Sequence, residues 1–349
     1  MKTQPSMKHP NAVGQFTLAL LLVVTLILGG CGQNSELPLE IYWIDVEGGS
    51  STLIVTPTRE AVLMDAGWNR EDARDALRIQ AAMRDAGITE IDYFIASHFH
   101  GDHVGGTPAI ASRVLVRQFF DHGDSVEQET EQGRPAWEAY LRAAQGRRQT
   151  VRPGDTLPLT GNVELSFVAA NREVIGPAGA GTNRHCGPPM ASEDLGENSR
   201  SVGYMVSLGD FEFLDLGDMT VDVQQSAACP ENRLGVVDLL QVPHHGQDVA
   251  AELLWALEPT VAISNNGANK GGRADDLAIV QQIPRIEGFW QIHRAMAAPD
   301  NANTTAQMTA NLTEEDDQGY WIKATIESSG EHYQITNARN GYSQIYQTK

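Results

Sequence analysis

Short apolar runs, separated by Gly, Pro and Asn, recur along most of the chain. The segments IYWIDV (residues 41–46), TLIVT (52–56) and AVLMD (61–65) have the length and the β-branched content of strands. They predict an antiparallel meander at the start of a domain. Residues 69–86 are polar and end before a glycine, as a capped helix does, and they precede the apolar strand IDYFIAS.

The second half of the chain has a different order of elements. The segments VGYMVSL and FEFLDL flank a Gly-Asp pair and predict a hairpin. Strand-then-helix units follow, VVDLLQV with DVAAELLWAL and TVAIS with DDLAIVQQI. Strands that first meander and then alternate with helices, twice over, predict an α/β fold: an αββα four-layer sandwich of two mixed sheets with outer helices, over residues 40–299. Residues 300–319 are polar and acidic and predict a linker or surface excursion, followed by short strands in residues 320–349.

The first thirty residues have the pattern of an export signal. Lys2 and Lys8 precede an apolar run from Phe16 to Gly30, which is shorter than the roughly 20 residues of a membrane-spanning helix and predicts a cleaved signal peptide. The run ends in LGGC, which resembles the lipobox of bacterial lipoproteins. That resemblance implies acylation of Cys31, a tether over residues 31–39, and an exported protein anchored in a membrane, facing the periplasm or the cell exterior.

Composition narrows the classes of partner. The 349 residues are 41% hydrophobic, typical of a globular protein, and carry 45 acidic against 25 basic side chains, a net charge of −20. An acidic body repels polyanions, so we expect a small-molecule substrate and no tight binding of duplex nucleic acid. In an oxidising compartment Cys186 and Cys229 can form a disulfide, and two free thiols are the alternative.

A dense histidine cluster follows the IDYFIAS strand. Its spacing is H-x-H-x-D-H, formed by His98, His100, Asp102 and His103, in a chain with 10 histidines. His98 and His100 can face one point, and Asp102 and His103 a second point nearby, because Gly101 permits a tight backbone. Imidazole and carboxylate donors suit zinc, with manganese or iron as neighbouring choices. The cluster predicts a site for one or two metal ions.

This loop resembles the signature of the metallo-β-lactamase superfamily of metallohydrolases, and the resemblance extends over residues 40–294. VLMDAG matches a strand and turn near the metals, which implies that Asp65 supports the ligands. LDLGDM matches a strand that ends in a metal-bridging aspartate, here Asp218. LLQVPHHG matches a late strand that ends in a ligand histidine; His244 is the first choice, and His245 either ligates or transfers protons.

The P-H-H-G form, with IDVEGGSSTLIVTP and ISNNGAN, resembles the branch that contains the hydrolase domain of ComEC-type competence channels and bacterial phosphorylcholine esterases. Residues 48–51 read GGSS where that branch often has G-Q-G-D. Asn198 stands where the superfamily has its third-motif histidine. This departure implies weaker binding of the metal held by His98 and His100, unless His122 or His185 supplies the missing ligand.

The resemblance implies a hydrolase in which zinc-bound hydroxide attacks a carbonyl carbon or phosphorus. Asp102 would orient the nucleophile and His245 would protonate the leaving group. His122, Asn266 and Lys270 follow predicted strands and are the candidate substrate contacts. We expect phosphodiesters or other small esters as substrates. Hydrolysis of a β-lactam, lactone or thioester is an alternative, and so is a metal-binding lipoprotein without catalysis.

Overall fold

The computed structural model describes most of the chain beyond the predicted signal peptide, residues 37–70, 72–176, 181–188, 193–314 and 318–349. Cys31 and most of the predicted tether lie outside the described residues. No helix in the described part combines the length and the apolar character that crossing a membrane requires.

The first part of the domain builds one sheet and the helices on its outer face. In chain order its elements are β1 (Leu39–Trp43), β2 (Thr52–Val55), β3 (Ala61–Met64), α1 (Arg74–Ala86), β4 (Glu90–Ile95), α2 (Gly101–Val104), α3 (Thr107–Ala111), β5 (Leu115–Asp121), α4 (Arg134–Ala144) and β6 (Arg148–Thr150). Strands β1 to β3 form the predicted antiparallel meander. Strands β3 to β6 pair in parallel.

The second part builds the other sheet. Its elements are β7 (Thr156–Leu157), β8 (Val163–Ala170), β9 (Glu173–Val174), β10 (Gly203–Leu208), β11 (Phe211–Asp215), α5 (Val221–Ala228), β12 (Leu239–Gln241), α6 (Ala251–Leu257), β13 (Val261–Ser264), α7 (Ala274–Gln281), β14 (Gly288–His293) and β15 (Thr309–Asn311). Strands β10 and β11 form the predicted hairpin. Strands β11 to β15 pair in parallel.

The chain then returns to the first sheet through β16 (Ile322–Ile326), β17 (His332–Asn337) and β18 (Ser343–Gln347). The first sheet has the order β18-β17-β16-β1-β2-β3-β4-β5-β6. The second has the order β15-β14-β13-β12-β11-β10-β8-β7, with β9 beside β8. The closing strands are therefore part of the same sandwich.

One correction concerns the segment at 300–319. It contains β15, whose Thr309 pairs with Gln291 of β14, so part of the predicted linker extends the second sheet. The polar side chains of β15 are buried, and that of Asn311 is satisfied: its Nδ2 donates to Ile292 O at 3.0 Å and to Tyr320 O at 3.0 Å. A buried amide whose hydrogen bonds are all made cannot be distinguished, from the sequence alone, from an amide on the surface.

The two sheets pack face to face and carry helices outside. Trp43 and Phe213 meet edge to face, 5.4 Å between ring centroids, in the core between the sheets. On the outer face of the first sheet, Phe94 packs on Tyr140 of α4. Leu253 of α6 belongs to the apolar cluster on the outer face of the second sheet. This confirms the predicted αββα sandwich.

Loops from both sheets meet at one end of the sandwich. Ser97, after β4, donates to Asp65, which follows β3. His244, after β12, donates its backbone N–H to Gly217 O, in the turn after β11, at 3.0 Å. In this way the carboxyl ends of four strands bring distant polar residues to a common point.

A disulfide joins Cys186 to Cys229, with 5.7 Å between the Cα atoms. It links the loop at residues 181–188 to the end of α5. Of the two alternatives for these cysteines, a disulfide or two free thiols, the structure therefore contains the disulfide.

Candidate metal centre

Four buried side chains converge where the loops meet, and we call them the cluster site. Its members are Asp102, His103, Asp218 and His245, whose ligand atoms all lie within 4.8 Å of one another. Asp102 and His103 lie on α2, Asp218 follows β11, and His245 lies in a short 3-10 turn, Pro243–Gly246, after β12.

The spacing of the cluster site fits a tetrahedral ion. Zinc–nitrogen bonds of roughly 2.0–2.1 Å at tetrahedral angles place neighbouring donor atoms about 3.3 Å apart. His103 Nε2 lies 3.2 Å from His245 Nε2, 3.2 Å from Asp218 Oδ2 and 3.4 Å from Asp102 Oδ2. His245 Nε2 lies 3.2 Å from Asp218 Oδ2 and 3.5 Å from Asp102 Oδ2. The donor atoms therefore already have the separations that zinc requires.

The buried carboxylates of the cluster site also favour the binding of a cation. Burial acts to raise the pKa of Asp218, but His103 and His245 outweigh it and hold that pKa well below its usual range. The pKa of His103 moves the other way: burial acts to lower it, and Asp218 and Asp102 raise it well above its usual value. Two buried carboxylates therefore stabilise positive charge at this point, and a divalent metal ion would meet the same demand.

Asp65 and Ser97 fix the proton positions on two of the imidazoles. Ser97 Oγ donates its proton to Asp65 Oδ2 at 2.7 Å, so at 3.0 Å from His98 Nδ1 it can only accept. His103 Nδ1 lies 2.7 Å from Asp65 Oδ2, which also only accepts. Both rings therefore carry a proton on Nδ1, and in their neutral form each presents the Nε2 lone pair that a metal binds.

His98 and His100, which we call the histidine pair, lie beside the cluster site. His98 Nε2 is 3.1 Å from His100 Nδ1. Burial, with His103 and His100 nearby, lowers the pKa of His98 well below its usual value, which favours a neutral ligand. His100 Nε2 lies 3.4 Å from Glu127 Oε2, and an N–H there leaves Nδ1 free to bind a metal.

The two neighbouring histidines of the Pro243–Gly246 turn occupy different places. His245, rather than His244, lies in the cluster site. His244 Nε2 lies 3.6 Å from Asp218 Oδ2 and 3.2 Å from Asn198 Nδ2. The assignment of His244 as a ligand stays a prediction, and so does the role of His245 in proton transfer.

Lys270, predicted to contact substrate, reaches the cluster site. Its ammonium contacts Asp102 Oδ2 and lies 5.0 Å from the centroid of the Trp68 ring. The structure therefore places a cation directly beside the carboxylate of Asp102.

His122 and Asn266 do not face open space, which corrects their prediction as substrate contacts. His122 is buried, with Nε2 2.8 Å from Glu197 Oε1. Asn266 is buried and donates from Nδ2 to His293 O at 2.8 Å. Both follow strands as predicted, but each side chain turns inward and holds neighbouring segments together. His185, the other candidate for a missing ligand, packs against Trp255 with 5.6 Å between ring centroids.

Sequence reasoning missed two residues that organise the site, Ser97 and Glu197. Ser97 fixes the imidazole protons described above. Glu197 is buried and accepts from Phe99 N at 3.1 Å and from Val126 N at 3.0 Å, so it ties the backbone between His98 and His100 to a second loop. The only sequence signal is adjacency: Ser97 precedes His98, and Glu197 precedes Asn198.

An open cavity of about 510 Å³ adjoins the site. Asn198 and His244 form part of its wall. Four carboxylates also line it: Glu193, Asp194, Asp222 and Asp248. Arg172 pairs with Asp222 at 3.0 Å, and Arg273 pairs with Asp248, so part of this negative charge is balanced.

A second group of residues that could bind a metal is paired with a guanidinium instead. Its members are Asp45, Glu47 and His293, and the guanidinium is that of Arg78. Arg78 Nη1 lies 2.8 Å from Asp45 Oδ2 and 3.4 Å from Glu47 Oε1. His293 Nε2 lies 2.8 Å from Asp45 Oδ1. The guanidinium balances these carboxylates, and the group connects the ends of β1 and β14.

Comparison with known proteins finds a family model and a curated relative that each match part of the chain. Residues 44–183 match the family model of the metallo-beta-lactamase superfamily. Atrochrysone carboxyl ACP thioesterase from Aspergillus terreus (strain NIH 2624 / FGSC A1156) is 33% identical over 79 residues, which are 22% of this chain and 24% of that protein. The chain thus matches about a quarter of the length of this curated relative.

Two of the solved structures that match the chain, both at low sequence identity, are the following. YhfI from Bacillus subtilis, a metallo-beta-lactamase fold protein, is 12% identical with a TM-score of 0.42, over 73% of this chain and 96% of that one. MEM-A1, a subclass B3 metallo-beta-lactamase from a soil metagenome library, is 14% identical with a TM-score of 0.38, over 61% of this chain and 80% of that one.

Proposed function

We propose that the chain, of which residues 44–183 match the family model of the metallo-beta-lactamase superfamily, is a metal-dependent hydrolase of small ester substrates. The cluster site carries the proposal, because its four donor atoms are buried, close together and spaced for a tetrahedral ion. Zinc, or manganese as the alternative, would supply a water with its pKa lowered to about 7 and a Lewis acid for charge on oxygen.

The side chains of the protein would hold the metal ion and orient the water. Asp65 and Ser97 keep the imidazoles in the tautomer that ligates. Asp102 contributes negative charge at the centre and a position from which to orient a water. If His245 Nε2 binds the metal, it cannot also donate a proton to the leaving group. The ammonium of Lys270, beside Asp102, is therefore better placed than His245 to stabilise negative charge on a leaving oxygen.

Phosphodiesters are the substrate class that we propose first. Lys270 offers a cation for a phosphoryl oxygen, whereas the acidic cavity beside His244 disfavours a long polyanion. A phosphodiester that carries a neutral or cationic group, such as a phosphorylcholine ester, suits both features. The resemblance of the P-H-H-G segment to the ComEC and phosphorylcholine esterase branch supports the same choice.

A thioester is the second candidate substrate. One observation favours it: 79 residues of the chain are 33% identical to a protein described as an ACP thioesterase. The cluster site could hold the same metal ion for this substrate, and Lys270 would stabilise the negative charge that develops on the thioester carbonyl oxygen.

We also propose that the enzyme is exported and anchored through acylated Cys31. The support is the LGGC motif after an apolar run, together with the Cys186–Cys229 disulfide, a bond that persists in oxidising compartments. The substrate would then be one that is present at the cell envelope or outside it.

The test is a substrate screen on the full chain, purified in detergent and loaded with zinc or manganese. The panel contains bis-p-nitrophenyl phosphate, p-nitrophenyl phosphorylcholine, an acyl N-acetylcysteamine thioester, nitrocefin and a lactone. We expect hydrolysis of a phosphodiester, lost with chelator and in His103→Ala and retained in His332→Ala, a half-exposed histidine on β17. Metal-independent turnover, or none with any substrate, would contradict the proposal.

A further inference from the structure

We propose that Trp68 is a positioning residue, whose indole face holds the ammonium of Lys270 beside Asp102. Lys270 Nζ lies 5.0 Å from the centroid of the Trp68 ring and contacts Asp102 Oδ2. The inference rests on the proposed function and deepens it, because it names the residue that places the cation proposed to stabilise negative charge on the substrate.

An aromatic face and a carboxylate attract the same ammonium. An indole attracts a cation that lies within about 6 Å of its centroid, and more strongly than a phenol or a phenyl ring does. The lysine stem has four flexible carbons, and an ion pair near the surface confines it weakly. The side chain of Lys270 is 33% exposed. Contact with the Trp68 face therefore restricts the positions that its ammonium can reach.

Trp68 itself is held through its backbone and by packing. Its N–H donates to Asp75 Oδ2 at 2.8 Å, and Asp75 is a buried residue of the first turn of α1 that also accepts from Arg74 Nε at 2.7 Å. Trp68 Nε1 is buried and has no hydrogen-bond partner among the described residues. What the side chain offers to its neighbours is therefore its aromatic face and not its N–H group.

Two glycines let the indole and the lysine stem approach Asp102. A Cβ at position 49 would lie 3.2 Å from Trp68 Nε1 and would collide with Asp102 O. Gly48 has φ 76°, and a Cβ there would lie 2.8 Å from Lys270 Cβ. The sequence GG at 48–49 therefore leaves the space in which Trp68 and Lys270 meet, a role that the metal ligands alone do not explain.

The backbone of Lys270 is also fixed, and a second cation on the same ring provides a control. Gly267 N donates to Lys270 O at 2.9 Å, which closes a turn between β13 and α7. Arg70 Cζ lies 5.4 Å from the centroid of the Trp68 ring. In the described part of the chain, the exposed Arg70 makes no hydrogen bond or ion pair with the cluster site. Removal of Arg70 should therefore leave Lys270 in place.

The first experiment measures how firmly Lys270 is held. The full chain, purified in detergent and saturated with zinc, is treated with N-hydroxysuccinimidyl acetate, and acylation of Lys270 is followed by peptide mass spectrometry. Trp68→Ala should raise the acylation rate about 2–30-fold, the factor that corresponds to a cation–π contact of about 0.5–2 kcal/mol. Trp68→Phe should acylate nearly as slowly as the unmodified protein, since a ring remains and no hydrogen bond is lost. Arg70→Ala should not change the rate.

The second experiment measures hydrolysis of bis-p-nitrophenyl phosphate at saturating zinc. Trp68→Ala should lower kcat by the same factor of about 2–30 and change KM less, because the ammonium acts mainly on charge that develops in the transition state. Trp68→Phe should recover most of the lost kcat. Added to Lys270→Met, Trp68→Ala should cause no further loss, because the ring acts through the ammonium. A ring that only supported the fold would lower kcat in both backgrounds.

The outcomes separate this inference from the proposed function. Unchanged acylation of Lys270 in Trp68→Ala would overturn the inference while the proposed function stands. Equal losses of kcat from Trp68→Ala with and without Lys270 would overturn it in the same way. If no ester of the panel is hydrolysed, the proposed function fails, and the acylation rates still decide whether Trp68 holds Lys270.

Discussion

His103 Nδ1 and Asp65 Oδ2 lie 2.7 Å apart, and both side chains are fully buried. Asp65 itself has φ 59°, a left-handed conformation that the turn after β3 imposes on a residue with a side chain. The strained backbone directs the carboxylate at the imidazole and so fixes which nitrogen of His103 faces the cluster site.

Asp65→Asn should weaken metal binding at the cluster site by about 10–100-fold, because the amide no longer holds the Nδ1 proton through a charge-assisted bond. The measurement is zinc affinity by competition with a chromophoric chelator. Asp210→Asn, an exposed aspartate in the β10–β11 turn, is the control. Equal zinc affinities for the two variants would show that Asp65 does not support the ligand.

Asp102→Asn should lower turnover at least about a hundredfold, since it removes one strong electrostatic contribution at the centre while keeping the size of the side chain. The measurement is kcat on the best ester of the substrate panel. Lys270 loses its carboxylate partner in this variant, so KM should be recorded as well. Retention of most activity on every substrate would mean that the mechanism proposed here is wrong.

The local spacing of the histidine cluster was enough to predict its place in the fold. H-x-H-x-D-H after a buried strand predicts a loop at a sheet edge, and the structure has His98 to His103 there. Whether His244 or His245 enters the cluster site depends on the left-handed turn at Pro243–Gly246. That conformation is imposed by tertiary contacts, and nothing in a run of two histidines indicates it.

The sequence also does not indicate whether a side chain that follows a strand points into the protein or toward the site. His122 and Asn266 follow strands, which places them near the edge where the site is built. Inward or outward orientation depends on partners such as Glu197, which is 75 residues from His122 in the chain. Asn311 shows the converse case, because its polar side chain is buried with all its partners.

Stability should depend on pH through Asp215. Burial raises the pKa of Asp215 to about 7, although Gly217 N donates to it, and the nearby Asp65 raises it further. In the unfolded chain the pKa is about 3.9, so as pH rises from ~4 to ~7 the unfolded state gives up the proton first and the free energy of unfolding falls.

Asp215→Asn removes this titration. Between pH 5 and 8 the variant should lose about 2 kcal/mol less stability than the unmodified protein. The measurement is urea unfolding in chelator at several pH values, with Asp210→Asn as the control. Parallel pH profiles for the Asp215 variant and the unmodified protein would contradict the assignment.

Lipidation is testable in cells. Cys31→Ser should leave the precursor unprocessed by lipoprotein signal peptidase and abolish labelling with a clickable palmitate analogue, because no thiol remains to receive the lipid. Ser35→Ala, a change in the same predicted tether, is the control and should label normally. Unchanged labelling of Cys31→Ser would exclude this anchor.

The most direct test of the metal centre is anomalous diffraction from crystals of the full chain grown with saturating zinc. We predict a zinc peak in the cluster site, about 2.0–2.1 Å from His103 Nε2 and His245 Nε2 and in contact with Asp102 and Asp218. The separations between these donors already fit such an ion. No peak there, or zinc only at Asp45, Glu47 and His293, would contradict the account.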